Sequence, residues 1–139
     1  MSFREKSAWI SFMSILLIFG AYFRNVSQVS DGEVSVETGF RIQVALLALF
    51  VAVELVGHLA IALQAPTEAR APGDERERLI EMKATRVAFP VLVIGALACV
   101  GMMHTTRSVW AIGQHVLLAV VVAELVKFGG QILYFRRGV

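Results

Sequence analysis

Four long apolar runs, separated by short polar segments, constrain the fold of this chain more than any other feature of its sequence. Of its 139 residues, 57% are hydrophobic, whereas a soluble globular domain is about 45–50% apolar. A helix of about 20 apolar residues is long enough to cross the hydrocarbon core of a bilayer. The runs therefore predict an all-α, polytopic membrane protein whose four transmembrane helices cover about residues 7–23, 40–63, 74–103 and 109–134.

Two of these runs resemble each other. The segment FVAVELVGHLAIAL from Phe50 aligns with VVVAELVKFGGQIL from Val120, so that Glu54 corresponds to Glu124. The first and third runs align more loosely. The alignment predicts one four-helix transmembrane domain over residues 1–139, built as two parallel-repeat helical hairpins. The predicted parts are hairpin one at residues 1–64, a linker at 65–73 and hairpin two at 74–139.

The polar segment between the first two helices contains Asp31-Gly32, flanked by alternating valines. An Asp-Gly pair between alternating apolar residues is a signal of a β-hairpin. An isolated hairpin is only marginally stable, so a plain loop is the alternative interpretation here.

The most densely charged segment, DERERLIEMKATR, directly precedes the third apolar run. Asp74 is a suitable N-cap, and Glu77 three residues later completes a capping-box pattern. The segment therefore predicts that the third helix begins outside the membrane and continues into it, with Pro90 inside the helix. The charged start is a candidate docking surface for a soluble partner, and the alternative is a solvated, self-paired helix start. The candidate docking residues are Asp74, Glu75, Arg76, Glu77 and Arg78.

The orientation of the chain follows from the distribution of lysine and arginine. These residues gather at the N-terminal tail, in the central charged segment and at the C-terminus, whereas the other two loops hold few. Both termini and the central segment are therefore expected to be cytoplasmic.

Four polar residues lie inside the apolar runs, where a charged side chain costs about 2.5–3.5 kcal/mol on insertion scales. Glu54 and His58 share one face of the second helix, and Glu124 and Lys127 lie three residues apart on the fourth. Three interpretations remain open: a structural network of hydrogen bonds and ion pairs, an ion or proton site, and a small-ligand site. The spacing of Glu54 and His58 also fits two ligands of a metal ion, whose presence and identity the sequence leaves unknown.

Several segments together resemble a family of small, largely uncharacterised four-helix proteins of the bacterial inner membrane. They are EKSAWI at Glu5, ELVGH at Glu54, APGDERERLIEMKA at Ala71 and AELVKFGGQILYFRRGV at Ala123. The resemblance covers most of the chain and implies a location in the bacterial inner (cytoplasmic) membrane. Because members of such a family are often encoded beside a small helix-turn-helix regulator, it also implies a soluble transcriptional regulator as a partner. The family supplies no catalytic residues to carry over.

The sequence contains no hydrolase nucleophile motif, phosphate-binding loop or haem motif, so neither an enzyme activity nor a cofactor is expected. The net charge of +2 comes without a tract of basic residues, so direct binding to nucleic acid is not expected either. The first functional hypothesis is a non-enzymatic sensing or docking module that uses its charged helix. The alternative is a small dimeric transporter of an ion, a proton or a small molecule, which uses the intramembrane Glu and His. The expected partners are the lipid bilayer and a second copy of the chain.

Overall fold

The computed structural model describes residues 2–26, 34–71, 73–105 and 108–137. Over these residues the chain is helical and contains no strand, which confirms the predicted all-α class. The helices are α1 (Phe3–Val26), α2 (Val36–Gln64), α3 (Pro66–Arg70), α4 (Glu75–Met102) and α5 (Val109–Arg137). Of these, α1, α2, α4 and α5 are long and apolar enough to cross a membrane, as expected of a multi-pass membrane protein.

The helices extend beyond the apolar runs that predicted them. α1 begins at Phe3 and includes Arg4 and Lys6, because a charged side chain leaves the hydrocarbon without ending the helix. In the predicted linker, α3 forms a single short helix that begins at Pro66. Proline is well tolerated in a first helical turn, where its missing N–H would have no intrahelical acceptor.

The predicted Asp31-Gly32 turn lies outside the described residues. On its C-terminal side, Val36 belongs to α2 and not to an extended arm. Ser35 caps this helix, because its side chain accepts a hydrogen bond from the backbone N–H of Thr38 at 3.2 Å. Such a cap satisfies one of the free N–H groups at the start of a helix.

The charged segment and the third apolar run form one helix, α4, as predicted. Asp74 is its N-cap, and the Glu77 carboxylate accepts a hydrogen bond from the backbone N–H of Asp74 at 3.1 Å. The helix then continues through Pro90 to Met102. Its charged and apolar parts therefore belong to one continuous helix.

The long helices pack in the order α2, α1, α5, α4. α5 lies against α4 on one side and α1 on the other, and α1 also packs against α2. α2 also approaches α5, and a Cβ added to Gly39 would lie 2.5 Å from the ring of Trp110. The contact between α1 and α5 has no comparable counterpart between α2 and α4 among the described residues.

A small apolar core lies where α1, α2 and α5 meet. It is formed by Ile15, Phe19 and Val121, and the Phe19 ring meets the Phe50 ring edge-on at a centroid distance of 5.5 Å. Along α2, by contrast, the one buried residue of its described range is Gly39. Most of the α2 surface is thus left for lipid or for another protein.

Candidate functional site

The polar residues of α2 are held by two serines of α1. The Ser11 hydroxyl donates a hydrogen bond to Glu54 Oε2 at 2.6 Å, and the Ser7 hydroxyl lies 2.7 Å from His58 Nε2. Because α1 and α2 run in opposite directions, residues four apart on one helix meet residues four apart on the other. The two hydrogen bonds therefore join successive turns of the same pair of helix faces.

The hydrogen bonds of His58 determine which ring nitrogen carries the proton. His58 Nδ1 lies 2.8 Å from the backbone carbonyl oxygen of Glu54, which can only accept. The hydrogen of the neutral ring is therefore on Nδ1, and Nε2 accepts from the Ser7 hydroxyl. Nδ1 also lies 3.5 Å from Glu54 Oε2, so a second proton on this ring would form an ion pair with that carboxylate.

The polar residues of α5 form an ion pair of their own. Lys127 Nζ donates a hydrogen bond to Glu124 Oε2 at 3.1 Å and lies 4.9 Å from the centre of the Phe128 ring. The Glu124 side chain is nevertheless 40% exposed, and that of Lys127 is 28% exposed. This pair therefore lies at the protein surface, although the helix that carries it could cross a membrane.

Glu54 and Glu124 line the same cleft between α2 and α5, which has a volume of about 320 Å³. Oε1 of Glu54 is buried and has no hydrogen-bond partner among the described residues. A buried acceptor without a donor costs about 1–3 kcal/mol, and the other oxygen of this carboxylate, Oε2, is the one that accepts from Ser11. The rest of the lining is apolar: Ile15, Phe19, Leu47, Phe50, Val120, Val121 and Phe128.

The described residues at the cleft do not balance their charges. Glu54 and Glu124 supply two negative charges, Lys127 supplies one positive charge, and His58 with one ring proton is neutral. The formal sum is −1. One proton or one monovalent cation would therefore neutralise the group.

A second cavity, of about 280 Å³, lies at the end of the molecule that carries Arg4 and the start of α4. We call this the charged end. Ser7, Lys127 and Phe128 line this cavity as well. Ser7 thus contacts both this cavity and His58, and Lys127 contacts both this cavity and Glu124. The remaining lining residues are Arg4, Glu77, Ile80, Glu81, Gln131 and Phe135.

The candidate docking residues divide into two groups. Glu77 is engaged within the molecule, because it accepts from the Asp74 N–H and forms an ion pair with Arg4 Nε at 2.9 Å. The other four are exposed: Asp74 as the N-cap, and Glu75, Arg76 and Arg78 on the surface of α4. Arg78 also lines a surface groove of about 560 Å³ along this helix. The exposed residues are thus the part of the segment that a partner can reach.

The hydrogen bonds of Ser7 to His58 and of Ser11 to Glu54 were not predicted from the sequence. A signal was present, because both pairs have the spacing of one helical turn and lie on adjacent antiparallel helices. The aromatic lining of the cleft was also missed. Phenylalanines in an apolar run carry no pattern that separates a cleft wall from a lipid-facing surface.

Within the described part of the chain, no group of three or more His, Cys, Asp or Glu side chains is arranged to hold a metal ion. Glu54 and His58 are close, but a third such ligand does not join them. In comparisons with known proteins, no family model, no curated protein and no solved structure matches this chain. The function must therefore be argued from the chemistry of the cleft and of the charged helix.

Proposed function

We propose that this protein is a small membrane carrier that binds one proton or one monovalent cation between Glu54 and Glu124. The buried, unpartnered Oε1 of Glu54 is the observation that carries the proposal. A carboxylate oxygen at membrane depth is stable only when it is protonated or paired with a cation. Because the formal charge around the cleft is −1, the site binds one positive charge.

The cation reaches the cleft from the charged end. Phe128 lines both the cavity at that end and the cleft, and Lys127, which lines the cavity, pairs with Glu124 of the cleft. The Ser7 hydroxyl offers a second route, because it connects the cavity to His58 and from there to Glu54. Hydroxyl and imidazole groups at these distances can pass a proton along hydrogen bonds.

A second copy of the chain covers the exposed side of the cleft. Lipid cannot solvate the Glu124–Lys127 pair, of which the glutamate side chain is 40% exposed. A homodimer would bury this pair and place the cleft beside the subunit interface. The location of such a dimer is the bacterial inner membrane, with both termini on the cytoplasmic side.

The proposal is tested by proton flux into proteoliposomes, driven by a potassium diffusion potential and followed with an internal pH-sensitive dye. We expect Glu54→Gln to abolish the flux, because the amide cannot take up the proton and leaves the cleft neutral. Glu37→Gln is the matched control: Glu37 is on the same helix but pairs on the surface with Arg41 at 2.7 Å. Absence of flux in the unmodified protein, or equal flux in the Glu54 variant, would contradict the proposal.

A second candidate function is a docking module for a soluble partner, such as a transcriptional regulator. It is favoured by the exposed Arg76 and Arg78 on a helix that is fixed to α1 by the Arg4–Glu77 ion pair. Reversing both charges, with Arg76→Glu and Arg78→Glu, should release a co-purifying partner. A partner that stays bound to this double variant would rule out the exposed arginines as its contact.

A further inference from the structure

We infer that the substrate of the cleft is a lipophilic organic cation with an aromatic or alkylammonium group, which competes with a proton for the same site. This inference rests on the proposed function and specifies its substrate class. It follows from the walls of the cleft, where Glu54 and Glu124 are set among apolar and aromatic side chains. Such a lining matches a ligand that has one positive charge and a largely apolar surface.

The aromatic rings give the cleft an affinity for cations that aliphatic walls would lack. Phe19, Phe50 and Phe128 all line it, and the face of an aromatic ring attracts a cation. The Phe128 ring already interacts in this way with Lys127 Nζ at 4.9 Å. The carboxylates would neutralise the charge of an organic ammonium group in the cleft, and the rings would pack against its apolar surface.

The same lining is unsuited to an inorganic ion. Hard metal cations require several oxygen ligands to replace their water, and the described residues of the cleft supply two carboxylates in an apolar wall. One of those carboxylates is also paired with Lys127. An organic ammonium ion needs no such oxygen shell. At about 320 Å³ the cleft is large for a bare ion and lies at the lower end of the range of small-molecule sites, about 300–1,000 Å³.

The charge balance makes the organic cation and the proton competitors. The titratable groups that face the site are Glu54 and His58 from α2 and Glu124 and Lys127 from α5, while α1 contributes the uncharged Ser7 and Ser11. A net charge of −1 accommodates one positive charge at a time. If Glu54 carries a proton when the organic cation binds, that proton is therefore released.

Binding is tested by calorimetric titration of the purified protein in detergent with benzyltrimethylammonium. We expect one saturable site per chain, and weaker binding in acid than at neutral pH, because a proton competes for the same charge. Neopentylbenzene, the uncharged carbon isostere, should not displace the cation, because it lacks the charge that Glu54 neutralises. Potassium at the same concentration should not displace it either.

Three variants separate the contributions of charge and of the rings. Glu54→Gln should weaken binding at least about tenfold, whereas Lys127→Met should strengthen it, because it leaves both carboxylates without an internal cation. Phe50→Leu keeps the wall apolar and removes one ring, with an expected loss of about 2- to 30-fold. Glu37→Gln is the control and should bind like the unmodified protein.

The outcomes distinguish this inference from the proposed function. Proton flux without saturable binding of benzyltrimethylammonium overturns the inference and leaves the carrier intact. Absence of both flux and binding overturns the two together. Binding that Glu54→Gln leaves unchanged, or that neopentylbenzene displaces equally well, reflects simple partitioning into an apolar surface and also overturns the inference.

Discussion

Ser11 and Ser14 are both buried on α1, but their hydroxyl groups have different acceptors. Ser11 Oγ donates to Glu54 Oε2 on the neighbouring helix at 2.6 Å, whereas Ser14 Oγ donates to the Ile10 carbonyl oxygen of its own helix at 2.8 Å. The first bond joins two helices and solvates a carboxylate. The second adds a further donor to a carbonyl group within the same helix, so its loss leaves the contact between helices intact.

We therefore expect Ser11→Ala to lower the free energy of unfolding by about 1–2 kcal/mol, the range for a hydrogen bond to a charged group or within a membrane. Ser14→Ala, the matched control, should lower it by less than about 0.5 kcal/mol. Unfolding by sodium dodecyl sulfate in mixed micelles, followed by circular dichroism, measures both values. Equal losses would mean that the Ser11–Glu54 bond contributes nothing particular to stability.

The polar residues of the site could be identified from the sequence, but their partners could not. Glu54, His58, Glu124 and Lys127 stand out because charged and polar groups are rare in apolar runs. Their spacing along one helix fixes which of them share a face. It does not fix how that helix is rotated toward its neighbours, and this rotation decides that Ser7 and Ser11 meet α2 and that Glu54 and Glu124 share a cleft.

α4 and α5 pack closely at Gly95, where the neighbouring atom belongs to a side chain that is fixed to the backbone. A Cβ added to Gly95 would lie 2.6 Å from the Cβ of Ala119, an atom that cannot move unless its backbone moves. At Gly101 on the same helix, an added Cβ would have no neighbour within 4 Å. Gly95 and Gly101 therefore lie on the same helix, but only Gly95 has a neighbour that an added methyl group would meet.

We expect Gly95→Ala to separate α4 from α5 and to destabilise the protein by about 1–3 kcal/mol, the usual cost of overpacking. Gly101→Ala should be neutral or stabilising, by up to about 1 kcal/mol, because alanine favours a helix more than glycine does. The same unfolding titration measures both variants. Adding Ala119→Gly to the Gly95 variant should restore stability, and a failure to do so would place the contact elsewhere.

The existence of the four long helices and the N-cap of α4 were predictable, since hydropathy and cap chemistry are local properties. The helix ends were not. Hydropathy marks where the hydrocarbon ends, and α1 continues past that point to Phe3. The same is true at the start of α2, where Ser35 and not the first apolar residue of the run sets the boundary.

At the scale of the whole molecule, the chain is a row of helices and not a closed ring. α1 and α5 pack together in the middle, with α2 and α4 at the two ends of the row. A perfect internal two-fold would pack α4 against α2 as α1 packs against α5, and the described residues show no comparable contact between α4 and α2. The parallel repeat of hairpins stays a prediction, which the similarity around Glu54 and Glu124 continues to support.

The proposed orientation predicts which ends of the helices are reached from each side of the membrane. With Cys99, the cysteine of the native chain, replaced by alanine, we expect Val36→Cys to react with an impermeant maleimide in intact cells. Arg76→Cys should react only after the cells are permeabilised, because the proposed orientation places the charged end in the cytoplasm. Both positions are exposed at helix starts, so they compare directly. The reverse pattern would place the start of α4 outside the cell.

The two hydrogen bonds between α1 and α2 also settle the rotational setting of α2. Its surface is apolar on nearly every side, so burial of apolar area gives it little reason to prefer one orientation about its axis. Contacts to Ser7 and Ser11 on successive turns favour one rotation and one vertical offset, because sliding or turning α2 would break both together. Glu54 and His58, the polar residues of the proposed site, are therefore also the residues that keep α2 in register with α1.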